Sequence, residues 1–244
     1  MRPAFSGKRA LVTGAGKGIG REIARFLAEC GAEVVALSRS VSDLQSLQAE
    51  AGIPGFAVDL ADAAATRRAA ERAGAIDLLV NNAGISIPES FLDTQVGSWD
   101  QTMAVNVRAA VIVSQVVVRG MIVRGTGGSI VHVSSQASSV GLADHAAYCA
   151  SKGALDQLTR VMSLELGSRK IRVNAVNPTV TLTPMGEMAW SDPVRRSAML
   201  AKIPLGRFAV PRDVAEAVAF LLSDAAGMIN GVTLPIDGGF LAVR

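Results

Sequence analysis

Seven short runs rich in Val, Ile, Leu and Ala recur along the chain, and stretches of helical patterning separate them. The runs are 9-RALVT-13, 33-EVVAL-37, 55-GFAVD-59, 77-DLLVN-81, 129-SIVHVS-134, 171-IRVNAV-176 and 232-VTLPI-236. Helical patterning falls near 19–30, 42–51, 62–73, 97–124, 146–168 and 211–224. A strand that is apolar on both sides needs cover on both. Strands that alternate with helices pair in parallel, because each crossover must return the chain to the same end of the sheet. The pattern predicts a single α/β domain over 1–244, a doubly wound parallel sheet of about seven strands with helices on both faces. Ligands of such sheets bind beyond the carboxyl ends of the strands.

One stretch departs from the alternation. From Pro178 to Pro211 the chain carries five prolines along with Met185, Met188, Trp190 and Met199. It is too apolar for a linker and reads as a small helical lobe, around 180–210, folded over a site.

Composition narrows the functional classes. The net charge is +3 and no Lys/Arg block occurs, so nucleic acid is not an expected partner. No uninterrupted run of 18 apolar residues argues for a membrane span. The first residues, MRPAFSGKRALVTG, lack the apolar region of a signal peptide. Cys30 and Cys149 are the only cysteines, His132 and His145 the only histidines, and none has metal-ligand spacing. A cytoplasmic, reduced protein without a bound metal is expected.

The first strand runs into 13-TGAGKGIG-20. Its glycines allow a tight turn and a close backbone approach, and the helix N-terminus that follows favours a pyrophosphate. Gly14, Lys17, Gly18, Ile19 and Gly20 are therefore candidates to hold a dinucleotide. The fourth run ends in 81-NNAG-84, whose Asn82, Ala83 and Gly84 would support the first strand and pack beside the same ligand.

The most specific signal is 148-YCASK-152. Tyr148 is the sole tyrosine, and the chain has 5 lysines in 244 residues, so this pairing is not a compositional accident. On a helix, positions i and i+4 share a face. An ammonium near a phenol favours phenolate and lowers its pKa, giving a proton donor usable near neutral pH. Ser135 follows the fifth run, at the ligand-binding edge of the sheet, where its hydroxyl could hold a carbonyl oxygen. Asn106, inside the apolar run 103-MAVNV-107, needs a polar partner. It is either a core amide or the anchor of a water linking Lys152 to solvent.

Together these motifs resemble the short-chain dehydrogenase/reductase family over essentially the whole chain. The resemblance implies a Rossmann-type fold and a nicotinamide cofactor. It implies Tyr148 as general acid/base, Lys152 as ribose ligand and modulator of Tyr148, Ser135 as carbonyl orienter and Asn106 as support of a proton-relay water. Leu60, Pro178, Val180 and Thr183 fall at cofactor positions by the same resemblance, with Thr183 at the nicotinamide carboxamide. Asp59 would hold the adenine; its alternative is a cap for the helix that follows. The stretches 36-ALSRS-40, 134-SSQ-136, 174-NAVNPTV-180, 189-AWSDP-193 and 203-IPLG-206 are similar to the branch of the family that reduces xylulose and dicarbonyls. The family's tetramers imply a homotetramer here.

In dinucleotide folds an acid about 20 residues beyond the glycines binds the ribose hydroxyls. Here that place holds Ser38, followed by Arg39. Removing the acid removes repulsion toward a 2′-phosphate, and Arg39 and Lys17 can make charge-assisted bonds to one. NADP(H) is the expected cofactor. No Lys or Arg lies between Ser135 and Tyr148, so a neutral carbonyl compound fits the cleft better than an anion. Gln136, Val140, Leu142, His145, Leu182, Met185 and Trp190 are its candidate walls, with Gln136 and His145 able to bind the hydroxyls of a small sugar. The expected activity is NADPH-dependent reduction of small ketoses or α-dicarbonyls, with polyol oxidation in reverse. Three rivals stand beside it. One is a 3-oxoacyl-thioester reductase whose Arg119, Arg124 and Arg169 would meet an acidic carrier. The others are an NAD-dependent polyol dehydrogenase and a non-catalytic NADP(H)-binding protein.

Overall fold

A computed structural model describes residues 3–243, leaving aside the side chains at 184, 185, 189 and 243. All seven apolar runs form strands: β1 (Arg9–Thr13), β2 (Glu33–Ser38), β3 (Gly55–Ala57), β4 (Leu78–Asn81), β5 (Gly128–Val133), β6 (Ile171–Pro178) and β7 (Thr233–Ile236). They make one parallel sheet in the order β3-β2-β1-β4-β5-β6-β7. The order reverses between β1 and β4, and that switch point opens a crevice at the carboxyl ends of the strands.

Side chains alternate across each strand, and the core divides accordingly. Val12 of β1, Val34 and Val80 pack against α1 (Gly18–Glu29) and α9 (Pro211–Leu222) through Ile23, Leu27, Val214 and Val218. Leu11, Leu37, Leu79 and Ile130 face the other way, onto Ala69 and Ala73 near α3 (Ala63–Arg72) and Val113, Val117 and Met121 of α5 (Ala109–Arg124). Leu11, Ile23, Leu27, Leu79 and Met121 are fully buried. Each contributes on the order of 1.5–3 kcal/mol from its removal from water.

The long helical stretch expected at 97–124 is not uniform. It consists of α4 (Val96–Met103), a π-helical segment (Ala104–Arg108) and α5. The whole stretch is long and apolar enough to cross a bilayer, but about 50% of its most apolar window is buried within the domain, as in a core helix. The two remaining sheet-flanking helices are α2 (Val41–Ala51) and α6 (Ala146–Leu166). The lobe expected at 180–210 contains α7 (Pro184–Ala189) and α8 (Pro193–Leu200). It is joined to the sheet side by a cluster of Ile203, Phe208 and Phe240, onto which Val140, Val180, Leu182 and Trp190 pack.

Candidate active site

The cofactor side of the crevice is stitched together by the loop after β4. Thr13 Oγ1 accepts from the backbone N–H groups of Asn82 and Ala83, at 3.0 and 3.1 Å. Asn82 Nδ2 donates to the carbonyls of Thr13 and Gly14. The Asn82 amide thus braces the glycine turn, which is a supporting role. Gly14 has φ +67°, and a Cβ there would lie 2.8 Å from Ala83 Cα, so only glycine allows this approach. Gly18 opens α1, and a Cβ on it would lie 3.0 Å from Thr183 Cγ2. A side chain would fill the gap between glycine turn and lobe. Neither a side-chain cap nor an acid in the first turn occupies the N-terminus of α1, which leaves that helix end suited to an anion. Ile19 packs partly into the core.

Around the position of the missing acid, Ser38 lies buried beneath the glycine turn, where a Cβ on Gly16 would strike its hydroxyl. Arg39 is exposed and has no ion-pair partner among the described residues. Lys17 does not stand alone, since its Nζ lies 3.5 Å from Asp43 Oδ2 at the start of α2. Asp59 is exposed, and its Oδ1 accepts from Ala61 N at 2.9 Å. The cap of α3 is Asp62, which accepts from Ala65 N, so the capping role considered for Asp59 belongs elsewhere. The Leu60 side chain is buried, leaving only its backbone to face a ligand. Pro178 ends β6, beside Ile236. Val180 pairs with Ala209, whose N–H donates to its carbonyl. Thr183 caps α7, its hydroxyl accepting from Gly186 N at 3.0 Å.

Across the crevice, α6 carries Tyr148 and Lys152 on one face. Lys152 is buried, and its Nζ donates to the Val133 carbonyl at 2.8 Å. The same Nζ lies 5.6 Å from the centre of the Tyr148 ring. A Cβ on Gly84 would stand 3.5 Å from both Lys152 Nζ and Asn106 Oδ1, so this glycine keeps the crevice floor open beside them. Burial pushes Lys152 down to about 8, with Asp156 opposing the shift. Burial also raises the Tyr148 phenol, opposed by a hydrogen bond from Ser135 and reinforced by Cys149. The lowered phenol pKa expected from the Tyr–Lys spacing is therefore not found. The lysine donates to a carbonyl, and burial is the largest influence on the phenol.

Ser135, just beyond β5, is extended, and its Oγ accepts from Ala137 N at 3.1 Å. Asn106 sits in the π segment, almost wholly buried. Its amide is fully used: Oδ1 accepts from Ile85 N, and Nδ2 donates to Ile85 O and Ser151 Oγ, at 2.8, 2.9 and 2.9 Å. The side chain is a core brace, and any water it supports must bind through backbone. A π turn of this kind often marks a functional site. Ser151 in turn donates to Tyr148 O at 2.7 Å, tying Asn106 to the helix that bears Tyr148.

On the substrate side, Gln136 is buried and its Oε1 has no partner among the described residues. His145 Nδ1 lies 2.7 Å from the Ala143 carbonyl, so Nδ1 carries the proton and Nε2 is an acceptor. Its ring meets that of Tyr148 edge-on at 6.2 Å. Val140, Leu182 and Trp190 come together in the lobe cluster, while the Met185 side chain lies outside the described ones. Ser151 and Asn177 lie inside the quoted stretches 148-YCASK-152 and 174-NAVNPTV-180 but were not singled out there, and Asp156 lies outside every quoted motif. The signal that could have found Asp156 is its place one helical turn beyond Lys152.

The glycine turn, the uncapped α1, the Gly18–Thr183 gap and the exposed Arg39 lie together on one side of the crevice, an arrangement suited to a dinucleotide. This crevice on this sheet defines a nicotinamide-dependent oxidoreductase of the Rossmann class. The chain belongs to the short-chain dehydrogenase/reductase family: a family model described as enoyl-(acyl carrier protein) reductase matches residues 14–241. Its relatives are more particular than that description. L-xylulose reductase of Bos taurus is 56% identical over 98% of each chain. Carbonyl reductase [NADPH] 2 of Sus scrofa is 48% identical over 99% of this chain and 100% of its own. Among solved structures, a putative NAD(P) dependent gluconate 5-dehydrogenase from Beutenbergia cavernae, with bound NADP, superposes with a TM-score of 0.92. It is 36% identical and covers 98% of both chains.

Proposed function

We propose that this protein is an NADPH-dependent carbonyl reductase acting on small ketoses such as L-xylulose and on α-dicarbonyls. The observation that carries the reading is the buried Lys152, held by Val133 O on the same helix face as Tyr148, with Ser135 at the carboxyl end of the adjoining strand. NADPH, when bound, supplies the hydride that reduces the carbonyl carbon. Ser135 donates a hydrogen bond to the carbonyl oxygen and orients it. Tyr148 gives its proton to that oxygen as the C–O bond becomes single, and recovers a proton from solvent. The raised phenol pKa keeps Tyr148 protonated, as reduction requires. Lys152 is the cation that stabilises the resulting phenolate. His145, whose ring meets Tyr148 edge-on, would offer Nε2 of its neutral ring to a ketose hydroxyl, while the enclosed Gln136 Oε1 would have to turn toward the crevice to do the same. Arg39 and Lys17 would hold the 2′-phosphate, Thr183 the carboxamide, and Asp59 and the Leu60 backbone the adenine.

The relatives' names support the same substrate class. The thioester rival loses ground, because Arg124 is spent on Ile76 O and Asp77. Exposed Phe91, Leu92 and Val96 support contact with a further copy of the chain, of the kind a homotetramer would provide, and light scattering would test that stoichiometry. The direct test is initial rates with L-xylulose and diacetyl, each with NADPH and NADH. NADPH turnover of both is expected. Preference for NADH would refute the role of Arg39, and turnover of an acetoacetyl thioester alone would move the assignment to the rival. Tyr148→Phe should lose at least about a hundredfold in kcat while still binding NADPH.

A further inference from the structure

Beneath the catalytic residues lies a buried acid that the proposed mechanism does not use. Asp156 follows Tyr148 and Lys152 on the same face of α6, one helical turn beyond the lysine. It is nearly inaccessible, with 5% of its surface exposed, yet makes no ion pair within 4 Å among the described residues. Its Oδ2 accepts one hydrogen bond, 2.9 Å from Asn177 Nδ2 of β6, and its Oδ1 has no partner among the described residues. A buried carboxylate so sparsely bonded is costly unless a nearby cation offsets its charge.

The same Asn177 nitrogen lies 3.1 Å from the Ser135 carbonyl and 2.8 Å from Ser138 Oγ. Ser138 Oγ also donates to the Ser135 carbonyl, at 2.9 Å. Asp156 thus anchors the amide that fixes the backbone of the residue placed against the substrate oxygen.

We propose that Asp156 is a positioning residue for this site. Through Asn177 it sets the Ser135 backbone, and by its charge it keeps the buried Lys152 cationic beneath Tyr148. The inference rests on the reductase reading for its catalytic meaning, but its electrostatic content does not. The groups facing Lys152 are few. Asp156 and Tyr148 lie on its own helix, and His132 of β5 is neutral, held down to about 3 by burial. The loop after β4 and the π segment present Gly84 and Asn106, which do not titrate. Beyond Asp156, Arg160 is exposed and bonded to Gln157.

The test uses the full chain labelled with 13Cε-lysine. Five lysines give five signals, and Lys152→Arg identifies the one at issue. In the wild-type protein Lys152 should titrate at about 8. In Asp156→Asn, which keeps the shape and removes the charge, its midpoint should fall by roughly one pH unit or more. Asp156→Glu, which keeps the charge, should hold it near the wild-type value. If Asp156→Asn is insoluble, Asp156→Ser removes the same charge and reads the same shift. Where the wild type turns over diacetyl, the alkaline fall in kcat should move down with the midpoint. An unmoved Lys152 midpoint in the charge-free variant overturns the proposal. A moved midpoint in a protein that reduces no carbonyl tested would sustain the Asp156–Lys152 coupling and sink the reductase reading instead.

Discussion

At the level of single side chains, the proposed preference for NADPH rests on Arg39, the exposed cation beside Ser38 that no carboxylate already neutralises among the described residues. Arg39→Ala should raise the KM for NADPH by on the order of tenfold or more, the scale of a lost charge-assisted bond, and leave the KM for NADH nearly unchanged. Lys17 is different, since Asp43 Oδ2 lies 3.5 Å from its Nζ and competes with a phosphate for it. Asp43→Asn should therefore lower the KM for NADPH a few-fold, with NADH as the control. Equal effects on both cofactors would show that neither residue reads the extra phosphate. The sequence singled out Arg39, Tyr148 and Lys152 as candidates because each belongs to a fixed local spacing. It did not reveal Asp43 beside Lys17, or Asn177 beside Ser135, because those pairs meet only after a helix or strand from 26 or 42 residues away has docked.

Helices and strands were the more legible level, and the reasons lie in their periods. Runs such as 129-SIVHVS-134 are short, β-branched and bounded by turn residues, so β5 forms within a residue of its expected bounds. The π segment at Asn106 was hidden, because one wide turn inserted into a long apolar helix barely disturbs its pattern. Also hidden was how α9 is terminated. Its last carbonyls are taken by Arg172 of β6: Nη1 lies 2.7 Å from Leu221 O, and Nη2 lies 3.2 and 2.9 Å from Leu222 O and Ser223 O. A guanidinium at a helix C-terminus satisfies orphan acceptors and complements the dipole. Arg172→Ala should cost about 3 kcal/mol in urea unfolding. Arg172→Lys should recover less than half of that, because a single ammonium cannot span the same three carbonyls. Full recovery by lysine would mean that charge alone matters there.

For the whole molecule, the burial of His132 makes stability depend on pH in a window where little else titrates. The residue is completely inaccessible at the centre of the sheet, its Nδ1 3.3 Å from Asn81 Nδ2 and its Nε2 without a partner among the described residues. Burial, followed by the field of Lys152, holds its pKa at about 3 against an ordinary 6.5. Nδ1 therefore accepts from Asn81, and the ring stays neutral. Below pH 6.5 the unfolded chain takes up a proton there that the folded one refuses until about 3. The unfolded state then binds more protons, so stability is complete above 6.5 and is lost as pH falls. Carboxylates confuse the lower part of that range, but between 6.5 and 5 they contribute little. Over those 1.5 units the loss should be about 2 kcal/mol per chain. Urea unfolding at fixed protein concentration, repeated at pH 6.5 and pH 5, measures it. His132→Asn should be less stable than wild type at both pH values but nearly level between them. His145, the only other histidine, remains in that variant, so a slope that persisted would have to be assigned to it rather than to the buried ring.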